Sequence, residues 1–301
     1  MAVEHMRTWQ VGDVAITRIV EMWKFTDHIN MTMADAEPEE VIALPWLHPH
    51  YATPDGQQVM NFQGFVVATP TRKLMVDTCI GAGRQRAFDV FCDLPTGFIE
   101  DLGTLGIAPE DIDTVMCTHL HHDHVGWNTH WRDGKWVPTF TNARYLFGRK
   151  EYEAWQEMRH HAEHDPRHME DSVDPVVEAG LHELVEADHV ICDDAHGRVW
   201  LEPSHGHTPG HVHVRISSRG EEAVITGDLM HHPMQCAMPH RRATFDMDAE
   251  AGRQTRIGFV ERYSDTPVMV IGAHFADPTA GWIRTHGDSR RFEGIGLEMP
   301  S

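Results

Sequence analysis

Apolar runs alternate with polar, helix-patterned stretches along most of the chain. Residues 14–20, 62–68 and 73–77 are apolar and β-branched enough to read as strands. Between 96 and 105, Phe98, Leu102 and Leu105 recur at helical spacing, and Gly106 stops the helix. A strand follows at 113–117 and another at 143–147, with a helix from 149 to about 158. Strands return at 199–202, 211–216 and 223–226, and a helix over 248–263 leads into a last strand at Val268. Strands, helix and strand, then the same again, predict a mixed α/β fold: two sheets face to face with helices outside. No linker or fixed-period repeat divides the chain, so 1–301 reads as a single domain. Only residues 20–60 break the pattern, with Met22, Trp23, Phe25, Met31, Met33 and Trp46 apolar but aperiodic. That stretch reads either as core packing under a loop or as an apolar N-terminal lid.

Several of these strands end in metal-ligating residue types. The strand at 113–117 runs into Thr118-His-Leu-His-His-Asp-His124, three imidazoles and a carboxylate arranged H-x-H-x-D-H besides His122. Crowded neutral nitrogens and anionic oxygens at a strand end suit divalent metals, and this motif has donors for two. In an extended backbone His119 and His121 project to one side and His122 to the other, which leaves His122 out of the metal shell. Asp123 and His124 fall where the strand breaks. Ser204-His-Gly-His-Thr-Pro-Gly-His211 offers further imidazoles, the strand at 223–226 runs into Asp228, and the strand from Val268 runs into His274. Asp77 reads either as a turn-initiating residue or as a carboxylate that orients a ligand imidazole. His205 and His213 read as structural or exposed, and the 159–164 stretch as a solvated helix end or loop.

These four motifs, in this order and each behind an apolar strand, resemble the metallo-β-lactamase superfamily, over a span from about Phe62 to His274. The aspartate at 228 makes the chain most similar to the N-acyl-homoserine lactonase and organophosphate hydrolase branch. The resemblance implies a four-layered αββα sandwich and two divalent ions, zinc by default, with manganese, iron or cobalt able to use the same donors. It implies that His119, His121 and His207 hold one ion and that Asp123, His124 and His274 hold the other. Asp228 would bridge them, and His211 would support the site without ligating. It also favours the orienting reading of Asp77. Related lactonases carry a tyrosine where this chain has His231, which reads as a donor to the substrate carbonyl or as a surface-loop residue.

Composition narrows the classes. The formal net charge of −21 argues against nucleic acid and anionic membranes as partners. No apolar run is long enough to span a bilayer, and the N-terminus lacks a signal-peptide pattern, so a cytoplasmic location is expected. The five cysteines are an odd number without C-x-x-C spacing and read as inert thiols in a reducing compartment. The expected activity is opening of a lactone or related ester by a water that the two ions share. Asp228 and Asp123 would take part in catalysis, Asp123 by protonating the leaving alkoxide. The substrate is expected to be a small molecule with an apolar portion, held in part by Met230, Met234 and Met238, and a homo-oligomer is compatible with the sequence. Phosphotriester, β-lactam and thioester hydrolysis are the alternatives, together with a mononuclear iron dioxygenase of the same fold.

Overall fold

A computed structural model describes residues 5–161 and 165–297. The first half of the chain builds one seven-stranded sheet. Its strands are β1 (Arg7–Val11), β2 (Val14–Asp27), β3 (Gln58–Ala68), β4 (Lys73–Val76) and β5 (Thr114–Met116). A separate hairpin, β6 (Thr129–Arg132) and β7 (Lys135–Pro138), precedes β8 (Arg144–Gly148) and β9 (His182–Val185), which complete the sheet in the order β1-β2-β3-β4-β5-β8-β9. The second half builds another from β10 (Val190–Asp194), β11 (Gly197–Pro203), β12 (Val212–Ser218), β13 (Glu221–Ile225), β14 (Met269–Ile271), β15 (Ala280–His286) and β16 (Ser289–Gly294), in sequence order.

Side-chain alternation along these strands makes the layers. Phe65, Val67, Leu74, Val76 and Met116 point inward and meet Val199, Leu201, Val214, Ile216 and Ile225 of the second sheet. Their neighbours Val66, Met75 and Val115 point outward, where Phe98, Leu102 and Trp155 cover them. Phe98 and Leu102 belong to α2 (Phe98–Thr104) and Trp155 to α3 (Arg149–Met158), whereas α1 (Pro38–Ile42), earlier in the chain, packs through Val41 on the other side of the molecule. On the far side Val224, Val270 and Ile283 are covered by Phe259, Val260 and Tyr263. This helix is the last of three, after α4 (Asp174–Glu178) and α5 (Met234–Ala237), and spans α6 (Ala249–Tyr263). The result is the expected four-layered αββα sandwich.

The aperiodic stretch has a structural explanation. β2 continues through Lys24, which has a positive φ of 52°, to Asp27, with register shifts against β3 that disrupt simple alternation. The chain then crosses to the second sheet's outer layer, where Ile29, Met33, Val41, Trp46, Leu47 and Tyr51 are buried against α6 and its sheet. Around Trp46 and Leu47 the core-packing reading is therefore the right one. Of the 159–164 stretch, 162–164 lie outside the described residues. Arg159 closes α3 and makes two hydrogen bonds, 2.9 and 2.6 Å, to the Asp174 carboxylate.

Candidate metal centre

β5 stops at Met116, and the chain then turns instead of continuing as a strand. The His124 N–H donates to the His121 carbonyl (3.0 Å), closing a turn. Before that turn the backbone already bends at Thr118–His119, and it is in this bent chain, not an extended strand, that His119 Nε2 lies 3.0 Å from His121 Nδ1. The expected facing of His122 is corrected for the same reason. Its ring belongs to neither donor group, yet it lies on a cavity wall beside Phe91 instead of pointing away from the site.

Two donor groups form. His119, His121, His207 and Asp228 make one, and Asp123, His124, Asp228 and His274 the other, each with its ligand atoms within 4.8 Å of one another. In the first, His207 Nε2 lies 2.9 Å from the same His121 Nδ1 that His119 faces. Burial depresses the pKa of all three rings, that of His121 to about 4. Three converging nitrogens that resist protonation fit a cation far better than they fit one another.

In the second group, His124 Nε2 and His274 Nε2 are each 3.1 Å from Asp228 Oδ1, and Asp123 Oδ2 is 3.7 and 3.5 Å from the same two nitrogens. Though close, His124 Nε2 and Asp228 Oδ1 are not aligned as a hydrogen bond, and both are buried without a partner among the described residues. Burial opposes a charge on His124, but Asp228, Asp77 and Asp123 outweigh it and raise its pKa well above the ordinary value. The other oxygen of Asp228, Oδ2, faces the first group, 3.8 Å from His119 and 3.5 Å from His207. One carboxylate thus addresses both groups, one oxygen to each. The donor chemistry fits two divalent ions.

Surrounding residues hold these donors in place. Asp77 follows β4 in the left-handed region (φ 58°), and its side chain is turned to a ligand candidate. It accepts from Thr118 N (2.7 Å) and Thr118 Oγ1 (2.9 Å), and its Oδ2 lies 2.9 Å from His124 Nδ1. His274 Nδ1 lies 3.0 Å from the Asn61 carbonyl, which leaves Nε2 aimed at the site. His211 is occupied otherwise: its Nε2 accepts the Asp228 N–H (2.9 Å) and its Nδ1 meets Ser204 Oγ (2.8 Å). Gly227 (φ 54°) allows that contact, because a Cβ there would lie 2.6 Å from His211 Nε2.

Glu151 of α3 was not singled out by sequence reasoning. Its buried carboxylate accepts from Leu120 N (3.1 Å), Gly210 N (2.9 Å) and Trp155 Nε1 (2.9 Å), tying the two histidine-bearing loops together. Its only local signal was an acid at the start of a helix.

A cavity of about 310 Å³ opens over both groups. Its apolar wall consists of Met31, Met60, Phe62, Phe88, Phe91 and Phe245, and among the described residues no lysine or arginine lines it. Met230 and Met234 do not contribute: both are buried in the core outside the second sheet, with Met238 packed against them. Their spacing after Asp228 suggested a pocket, but the chain turns inward there to form α5. His231 is not a surface residue. It is buried on the cavity wall, with Nε2 3.2 Å from Asp228 Oδ2. His213 is buried with Nε2 3.2 Å from Glu202 Oε2, and neither it nor His205 joins a donor group.

A profile of the metallo-beta-lactamase superfamily matches residues 63–238, more than half of the chain. The chain belongs to that superfamily. The family implies divalent metal ions, and the two donor groups are the residues here that could hold them. An N-acyl homoserine lactonase of Bacillus sp is 27% identical over 124 residues, 41% of this chain and 40% of that protein. The match therefore spans about two fifths of the length of such curated relatives. A probable metallo-hydrolase of Methanocaldococcus jannaschii is 37% identical over 60 residues, 20% of this chain and 25% of its own. The crystal structure of the beta-lactamase-superfamily hydrolase AbOPH superposes with a TM-score of 0.78 at 20% identity, covering 98% of both chains. AidC, a dizinc quorum-quenching lactonase in complex with a product, superposes with a TM-score of 0.77 at 17% identity, covering 97% of this chain and 98% of its own. At such identities the structural likeness concerns the fold.

Proposed function

We propose that this superfamily member is a dinuclear metal-dependent hydrolase that opens a lactone or related carboxylic ester. The observation that carries the reading is Asp228, whose two oxygens face the two donor groups separately. Two divalent ions held there would lower the pKa of a water towards neutrality and polarise a carbonyl oxygen. The completeness of the second donor group favours two ions over the single iron of a dioxygenase. The lactonase relatives favour a cyclic ester.

The chain's own residues supply binding and proton handling. Phe62, Phe88, Phe91 and Phe245 form an apolar wall for the substrate's body, and Met31 is where the 20–60 segment meets it. The lack of a cationic lining residue favours neutral esters over β-lactams, which carry a carboxylate. His231 has two ring nitrogens without an aligned partner among the described residues, so one N–H is free to donate to the substrate carbonyl. Asp123 Oδ2 faces His124 and His274, while Oδ1, 4.0 Å from His122 Nδ1, would accept the proton that the attacking water gives up and pass it to the leaving alkoxide.

The test is elemental analysis of zinc-loaded protein together with hydrolysis assays on lactone, aryl ester, phosphotriester and β-lactam panels. Two ions per chain and preference for a neutral lactone or ester are expected; one ion at full activity, or a preference for β-lactams, would overturn the reading. For His231→Phe, retained metals and a fall in turnover of roughly 10²–10³-fold are expected, the loss typical of one oxyanion donor. His231→Tyr should recover part of it. Unchanged turnover in His231→Phe would remove His231 from the chemistry.

A further inference from the structure

The back of His207 faces a second carboxylate. Its Nδ1 lies 3.4 Å from Asp246 Oδ1, not aligned as a hydrogen bond, and neither atom has a hydrogen-bond partner among the described residues. Both side chains are buried, His207 at 2% exposed and Asp246 at 0%. The other Asp246 oxygen, Oδ2, accepts from Arg256 Nη2 of α6 at 2.7 Å, and Arg256 is itself fully buried.

The surrounding backbone keeps this arrangement in register. The Met247 N–H donates to the His207 carbonyl (3.0 Å) and the Asp248 N–H to the Gly206 carbonyl (2.9 Å), pairing the two loops directly behind the imidazole. Asp248 then caps α6 by accepting from Ala251 N, which sets where Arg256 sits. A Cβ at Gly252 would collide with the Asp246 carboxylate, so the helix approaches that closely only with glycine there.

We propose that Asp246, clamped by Arg256, is the positioning residue for His207: it accepts the Nδ1 proton and thereby leaves Nε2 as the lone-pair nitrogen aimed at the first donor group. This rests on the dinuclear reading above. The physical logic is that an imidazole carries one proton when neutral, so the partner of one nitrogen decides which nitrogen remains a ligand. Asp77 stands in the same relation to His124, on the opposite side of the site. The two donor groups would then each have a dedicated carboxylate behind one histidine, from different halves of the chain. Asp246 is adjacent to Phe245 of the cavity wall, so one short loop serves both metal and substrate sides.

The experiment is a competitive zinc titration of Asp246→Asn against a chelator, alongside the wild type, with cobalt-substituted absorption as a second readout. The expected result is one site weakened about 10–100-fold while the other keeps its wild-type affinity, with an altered cobalt band for the weakened site. Because Asp246→Asn leaves Arg256 without its counter-ion, the double variant Asp246→Asn/Arg256→Met is measured too. It should recover apo-protein thermal stability without recovering the weakened site. Two unchanged affinities in either folded variant would overturn the proposal, as would equal weakening of both sites or recovery of zinc affinity in step with stability. A wild type that binds no second ion would instead count against the dinuclear reading.

Discussion

Asp228→Ala is expected to lose both metals and about 10³-fold in kcat/KM, the equivalent of about 4 kcal/mol of transition-state stabilisation. The reason is geometric. His119 and His207 face one carboxylate oxygen, and His124 and His274 the other, so truncation removes a donor from each group at once. It also leaves His124 Nε2 and His274 Nε2 without the carboxylate that those two nitrogens approach most closely. His122→Ala is the matched control: it alters the same cavity wall but belongs to neither group, and it should keep both ions. Elemental analysis and steady-state kinetics of the two variants check this. Retention of two ions in Asp228→Ala would show that the carboxylate does not join the groups.

The second large effect is on stability. Arg84 and Arg86 are buried, with side chains 1% exposed, and converge on one carboxylate, Asp171. Arg84 Nη1 is 2.8 Å from Oδ1 and Arg86 Nη1 is 2.7 Å from Oδ2. Burial pulls the Arg84 pKa down to about 10 even with Asp171 opposing it, a sign of how strongly the site resists unpaired charge. Asp171→Ala leaves two guanidiniums without their counter-charge, and breaking a buried pair from one side costs about 3–5 kcal/mol. Urea unfolding should register a loss of that size. The segment anchored by these arginines leads directly to Phe88 and Phe91 on the cavity wall, so KM for the proposed lactone or ester substrate should also rise in the surviving folded protein. A stability change below about 1 kcal/mol would mean that the arginines find other partners, such as the Gly126 and Thr129 carbonyls that Arg84 already contacts.

How far the sequence discloses the molecule depends on whether a feature is local. The ends of α3 and α6 are readable because a helical pattern follows a glycine in one case and an Asp248 cap in the other. The donor residues are readable because strand ends concentrate them in short motifs. Strands β1 and β16 are not, because edge strands with one exposed side, such as SRRFEG, carry few apolar residues. His122 is misread for a different reason. Period-two facing holds only while the backbone stays extended, and β5 ends at Met116, three residues before His119. Glu151, Asp246 and the Arg84–Arg86–Asp171 cluster are silent in the sequence because each acts on groups tens to nearly a hundred residues away.

The division of the two sheets between the two halves of the chain has a consequence for biosynthesis. The first sheet and the loop bearing His119 to His124 leave the ribosome well before Asp228 and His274 exist. At typical elongation rates the interval between His124 and His274 is on the order of ten to thirty seconds. Throughout it, the nascent chain displays a half-finished chelator, three imidazoles and a carboxylate beside the uncovered inner face of a hydrophobic sheet. The buried segment around Trp46 and Leu47 must wait as well, since the layer it packs into has yet to be made. Neither half is a folding unit with a completed centre. Capture of the proposed ions is therefore expected only when the second sheet docks and brings Asp228, His207 and His274 to the first loop.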